Sequence, residues 1–290
     1  MGDKRFGTIE AGGTKFLCAV GSSPQDLSEA CRIETRAPEE TLGPVISYFR
    51  EQGALEAIGI ASFGPAGVDT ESANWGHILT TPKPGWSGFD LAGTVRRALR
   101  VPVGFDTDVN GAALAEYRWG AAQGFKSIAY VTVGTGIGGG FVIDGAVLHG
   151  SRHPEVGHIF VKRHPADLDF AGICPFHGDC LEGLASGSAI KARWGASLSQ
   201  LPADHIAREI ITFYLGQLVV SLEAFAAPSR IVLGGGVMHA PGLLECVARE
   251  AERLGARYFG GSLDGVVVAP GLGDRAGLLG ALCLAEAAIR

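Results

Sequence analysis

The sequence has no excess of positive charge, no long apolar run, no low-complexity tract and no P-loop, and each absence removes a class of function. Lys and Arg number 24 against 30 Asp and Glu, and the net charge is -6. The basic residues are scattered, so nothing supplies the cationic face that duplex nucleic acid requires. Nucleic acid is therefore not an expected partner. No stretch approaches the roughly 18 uninterrupted apolar residues of a membrane span. The opening MGDKRFGTIEAGG runs directly into a strand-like pattern with no apolar segment suited to secretion. These features predict a cytoplasmic protein with no membrane partner. The pattern G-x-x-x-x-G-K-[ST] does not occur, which excludes a P-loop enzyme. With no secretion signal, the 6 Cys are read as thiols or metal ligands and not as a disulfide framework.

What the chain does have is glycine, 44 of 290 residues, in short bursts between apolar segments. With 47% hydrophobic residues, it can bury a sizeable core arranged as roughly two packed units. In Phe6 to Val20, two β-rich segments flank Ala11-Gly12-Gly13-Thr14, which reads as a hairpin. The design returns at Ile128 to Val147, where IAYVTV precedes GTGIGGG and FVIDGAV follows. This predicts an architectural duplication, two α/β lobes that each open with a hairpin and flank a cleft. Further strands are predicted at Ala57 to Ser62, Val101 to Phe105, Arg230 to Leu233 and Gly265 to Ala269. Helices are predicted at Asp108 to Gly120, His205 to Ala227 and Asp274 to Ile289. The lobes are expected at 1–117 and 118–290, with the C-terminal helix packing back toward the N-terminal lobe.

Gly134-Thr-Gly136-Ile-Gly138-Gly139 fits the dinucleotide pattern G-x-G-x-x-G. A dinucleotide loop must open into a helix, whereas here Phe141-Val142-Ile143 continues as a strand, so hydride transfer is disfavoured. What remains is a phosphate site of backbone N–H groups at Gly134, Thr135 and Gly136, with a hydroxyl from Thr135. Gly12, Gly13 and Thr14 offer the same chemistry, and Lys15 a cation for a β- or γ-phosphate. A third loop, Gly234-Gly235-Gly236, ends a strand, as expected where a nucleotide approaches the carboxyl edge of an α/β sheet. Phosphoryl transfer needs one carboxylate to accept the alcohol proton. Asp106-Thr-Asp108-Val-Asn110 supplies it, with Asp108 at a helix N-terminus and Asp106 as its competitor.

Cys174-Pro-Phe-His177-Gly-Asp-Cys180 has zinc-ligand spacing, and His158 upstream completes a Cys2His2 set. Four protein ligands leave no open position, so the Zn2+ is expected to be structural. It would hold Glu155 and Glu182, carboxylates suited to sugar hydroxyls, beside its ligands. His149, His153, His164, His205 and His239 are read as surface or structural residues.

On Glu10-Ala-Gly-Gly-Thr-Lys15, Gly64-Pro65-Ala-Gly67, Thr81-Pro-Lys-Pro-Gly-Trp86, Thr107-Asp-Val-Asn110, Val133 to Gly140, His153-Pro-Glu-Val-Gly-His158 and the Cys174 to Cys180 knuckle, the chain resembles ROK-family sugar kinases, in particular the bacterial zinc-containing fructokinases. The resemblance covers essentially the whole chain. It implies an actin-like (ribonuclease H-like) two-lobed fold, ATP with Mg2+ as donor, Asp108 as base and a homodimer. It also implies a sugar site of Gly64, Pro65, Thr107, Asp108, Glu155, His158 and Glu182, with His158 shared with the zinc. Glu10 stands where Asp is usual in this family, and Thr107 where Asn often precedes the catalytic Asp. The expected reaction is phosphorylation of D-fructose to fructose 6-phosphate. The alternatives are a kinase for mannose or glucose and a sugar-sensing regulator. Such regulators carry a DNA-binding helical domain before the first phosphate loop, which here begins about ten residues in.

Overall fold

The computed structural model describes residues 4–256, 258–259 and 262–290. In chain order the elements are β1 (Phe6–Ala11), β2 (Lys15–Gly21), β3 (Cys31–Glu34), α1 (Pro38–Glu51), β4 (Ala57–Ser62), α2 (Leu91–Leu99), β5 (Val103–Thr107) and α3 (Asp108–Trp119). There follow β6 (Ser127–Val133), β7 (Ile137–Ile143), β8 (Ala146–Val147), α4 (Leu181–Ala185), α5 (Gly187–Trp194) and α6 (Ile206–Ala226). The chain closes with β9 (Arg230–Gly234), α7 (Leu243–Leu254), β10 (Val267–Val268) and α8 (Ala276–Ala287).

Packing divides the chain into one unit of Met1–Ala115, Val147–His153 and Leu272–Arg290, and another of Glu116–Ala146 and Pro154–Gly271. The expected single boundary between 117 and 118 thus corresponds only to the first crossing, which falls inside α3. The short segment Val147–His153 and the C-terminal segment return to the first unit. For α8 the reason is physical: a helix apolar on every side must be covered all round, and it packs on β1, β4 and β5.

The first sheet has the order β3-β2-β1-β4-β5, with β1 antiparallel to β2 and parallel to β4, and β4 parallel to β5. The second has the order β8-β7-β6-β9-β10, with β6 antiparallel to β7 and parallel to β9, and β9 parallel to β10. The two hairpins read from the glycine bursts therefore begin sheets with the same strand order.

All six residues of β4 are buried, as expected for a parallel strand covered on both faces. Ile58 and Ile60 face one core with Ile9, Phe49 and Val95, each fully buried side chain contributing roughly 1.5–3 kcal/mol. The alternate positions face α8, where Ala61 packs on Ala281 and Leu284. There Gly59 is required, because a Cβ would overlap the carbonyl oxygen of Ala281. β5 starts two residues later than expected because Pro102 has no N–H to give the ladder, while Asp106 and Thr107 extend it opposite Ala61 and Ser62. In the second unit α6, long and apolar enough by composition to cross a membrane, serves as the core helix against α4 and α7.

Candidate active site

In the first unit the β1–β2 turn is closed by the Gly12 N–H donating to the Lys15 carbonyl at 2.9 Å. Thr35, just after β3, braces it: its N–H donates to the Thr14 carbonyl at 3.1 Å and its hydroxyl to the Gly12 carbonyl at 2.7 Å. Glu10 lies at the end of β1, its Oε2 buried with no hydrogen-bond partner among the described residues. Burial, aided by the carboxylates of Asp108 and Asp274 and opposed by Lys15, lifts Glu10 from 4.5 to about 7. The loop Thr81 to Trp86, which the sequence reading left without a role, also reaches this turn, with Lys83 alongside Gly13.

Asp106 and Asp108 are separated by their surroundings. Asp106 ends β5 nearly fully buried. Its Oδ1 accepts from the Thr107 N–H and from Asn110 Nδ2, both at 2.7 Å, and its Oδ2 lies 2.9 Å from His149 Nε2. The hydrogen bond to Asp106 is the main cause that raises the His149 pKa. Asp106 is thus sequestered in a structural network. Asp108, half-buried at the first position of α3, accepts from the Val109 N–H at 2.8 Å. His149 belongs to the returning segment, as does His153, whose Nε2 accepts from the Ala66 N–H at 3.3 Å, next to the cis Gly64–Pro65 peptide. One strap therefore fastens the Gly64-Pro65 loop and the Asp106 to Asn110 turn. No local motif announced it, because both contacts join residues far apart in sequence.

In the second unit the dinucleotide-like segment is the β6–β7 hairpin itself, closed by the Gly134 N–H donating to the Gly136 carbonyl at 2.9 Å. Thr135 at its tip is exposed. The Gly187 N–H, at the start of α5, donates to the Gly134 carbonyl at 2.7 Å. Gly235 of the third glycine loop has φ +92°, and a Cβ there would meet the Val133 carbonyl oxygen at 2.5 Å, so only glycine fits. The loops at Gly134 to Gly136 and Gly234 to Gly236 thus converge with the start of α5, which the sequence reading did not foresee.

His158, Cys174, His177 and Cys180 come together with their ligand atoms all within 4.8 Å of one another. Cys174 Sγ lies 3.8 Å from His158 Nδ1 and 3.7 Å from His177 Nδ1, and Cys180 Sγ lies 3.5 Å from His158 Nδ1. Burial pushes the Cys180 thiol up to about 11. Glu182 follows Cys180 in the first turn of α4. Its Oε1 is 4.0 Å from His158 Nε2, and its Oε2 accepts from the Ile137 N–H at 2.8 Å. Glu155 is exposed, three residues before His158 in the turn whose His158 N–H donates to the Glu155 carbonyl at 3.0 Å.

Two α/β units of one topology, each led by a glycine-turned hairpin, form the actin-like fold of sugar kinases. The chain belongs to the ROK family, whose model matches residues 6–288. It is 50% identical to the fructokinase of Zymomonas mobilis over 98% of this chain and 97% of that protein. It is 43% identical to a putative fructokinase of Bacillus subtilis over 98% and 96% of the two chains. The crystal structure of a ROK hexokinase from Thermus thermophilus, 31% identical, superposes with a TM-score of 0.78 over 98% of this chain and 99% of that one.

Proposed function

We propose that the protein transfers the γ-phosphoryl group of ATP to the 6-hydroxyl of D-fructose. The observation that carries this reading is the contrast at the β5–α3 junction: Asp106 is nearly fully buried and holds Thr107, Asn110 and His149, whereas Asp108 is half-buried at the first position of α3, with surface open to a substrate. The relatives named above favour fructose as the sugar. Asp108 takes the O6 proton as the new P–O bond forms and the bond from the γ-phosphorus to the β-phosphate bridging oxygen breaks, releasing ADP. Gly64, Pro65, Thr107, Glu155, His158 and Glu182 bind the sugar. Gly13 to Lys15 and Thr135 with Gly136 bind phosphates through backbone N–H groups and side chains. Gly12 and Gly134, whose N–H groups close the two turns, shape those loops instead of donating to the phosphates, and Gly234 to Gly236 bind the nucleotide.

Mg2+ would be held near Glu10, whose buried Oε2 lacks a hydrogen bond among the described residues and which senses the carboxylates of Asp108 and Asp274 together with the Lys15 ammonium. When bound it neutralises phosphate charge. Zn2+ suits the Cys2His2 set. Zn–S and Zn–N bonds of ordinary length give tetrahedral sulfur-to-nitrogen edges of about 3.6 Å, and three such edges here are 3.5, 3.7 and 3.8 Å. Bound there, zinc fixes the start of α4 and with it Glu182. A cytoplasmic homodimer belongs to the same reading. Incubation with fructose and MgATP, followed by identification of fructose 6-phosphate, tests it.

A further inference from the structure

Lys83 stands between Pro82 and Pro84, whose rings fix their own φ angles, in a loop fastened at both ends. Ser87 Oγ accepts from the Thr81 N–H at 2.9 Å and donates to the Thr81 carbonyl at 2.8 Å, closing the loop on itself. Trp86 is fully buried, its Nε1–H donating to the Arg36 carbonyl at 2.7 Å. Its ring packs 5.5 Å from Phe16, the residue that follows Lys15 in β2, and 5.6 Å from Phe63. The loop is thereby anchored at the root of the first phosphate hairpin. Lys83 lies along the turn itself: a Cβ on Gly13 would be 3.0 Å from Lys83 Cε and 3.8 Å from Nζ. Lys15 already feels the Glu10 carboxylate. Lys83 has no ion-pair partner among the described residues, so its ammonium charge is uncommitted at a turn of backbone donors.

We propose that Lys83 is a second cation of the first phosphate hairpin and holds the terminal phosphoryl group of the nucleotide. This rests on the kinase reading above. An ammonium on a four-carbon stem is a mobile point charge, able to stay with the phosphoryl group as negative charge spreads over its equatorial oxygens in the transition state. The missing side chain at Gly13 leaves the stem its path, and the anchored Trp86 sets its reach. A cation at the terminal phosphoryl group strengthens ATP binding more than ADP binding.

The test is calorimetric titration of wild type and Lys83→Met with ATP and with ADP, each with Mg2+ and without sugar, alongside turnover with fructose. The expected result is ATP affinity lowered about 10-fold or more with ADP affinity within about 2-fold, and kcat lowered on the order of 10²-fold. Lys83→Arg should restore part of both. Thermal unfolding should match wild type; if Lys83→Met melts early, Lys83→Gln takes its place in the same titrations. Unchanged ATP affinity and turnover, or equal losses for ATP and ADP, overturn the assignment. A wild-type protein that binds ATP in a Lys83-dependent way yet phosphorylates no hexose would contradict the kinase reading and leave the phosphoryl contact standing.

Discussion

Glu182 accepts the Ile137 N–H at 2.8 Å through Oε2, while its Oε1 lies 4.0 Å from His158 Nε2. One carboxylate thus joins the β6–β7 hairpin to the cluster of His158, Cys174, His177 and Cys180. Its loss should be felt by both substrates. Glu182→Ala is expected to raise KM for ATP as well as for fructose, each by roughly 10-fold, the size of a lost charge-assisted hydrogen bond. Steady-state kinetics with each substrate varied in turn checks this, and a rise confined to fructose would place Glu182 on the sugar alone.

A metal bound by His158, Cys174, His177 and Cys180 would act through the same residue, because Glu182 follows Cys180 by two positions in α4. Elemental analysis should find about one zinc per chain. Cys180→Ser should lose that metal and raise the fructose KM about 10-fold or more, as expected when a ligand set that orients a neighbouring carboxylate is broken. Metal-free protein with full sugar affinity would show that the cluster does not support the site.

Glu10 gives a pH dependence with a defined sign. Its carboxyl is lifted from 4.5 to about 7, so between these values the native protein binds more protons there than the unfolded chain. Stability from this group is complete below about pH 4.5 and declines as pH rises to about 7, by on the order of 3 kcal/mol. Glu10→Gln lacks the decline. Thermal melts without Mg2+ should therefore show the variant gaining on wild type from pH 5 to pH 8, and parallel profiles would mean that Glu10 is ionised throughout.

Asp108→Asn should lower kcat by roughly 10²- to 10⁴-fold with the fold and ATP affinity retained, as for a lost general base. Asp106→Asn should act differently, costing about 1–3 kcal/mol of stability because it strands the partners of a buried carboxylate. The His149 pKa is raised by Asp106, so the stabilisation from this pair is full below the ordinary histidine value and is lost as pH rises through the elevated one. The Asp106→Asn penalty should accordingly shrink at alkaline pH in denaturant titrations.

The features legible in the sequence were local. The two glycine-turned hairpins, the Cys174 to Cys180 spacing and the place of Asp108 at the start of α3 each span only a few residues, where turn chemistry and ligand spacing leave a direct mark. The cap of α3, however, is Thr107, whose Oγ1 accepts the Asn110 N–H, and not Asp108. Contacts that depend on the folded chain left none. The choice between Asp106 and Asp108 needs His149, the Glu182 bond needs Ile137, and Lys83 gains its meaning only beside Gly13. The unit boundary shows the same limit, since the return of Val147–His153 and α8 to the first unit follows from packing and not from a change in composition.

The most direct test of the account is kcat/KM for ADP release with fructose, glucose and mannose at saturating MgATP. Fructose is expected to give the highest value, with fructose 6-phosphate as product. A higher value for glucose or mannose, or no turnover with any of the three, would contradict it.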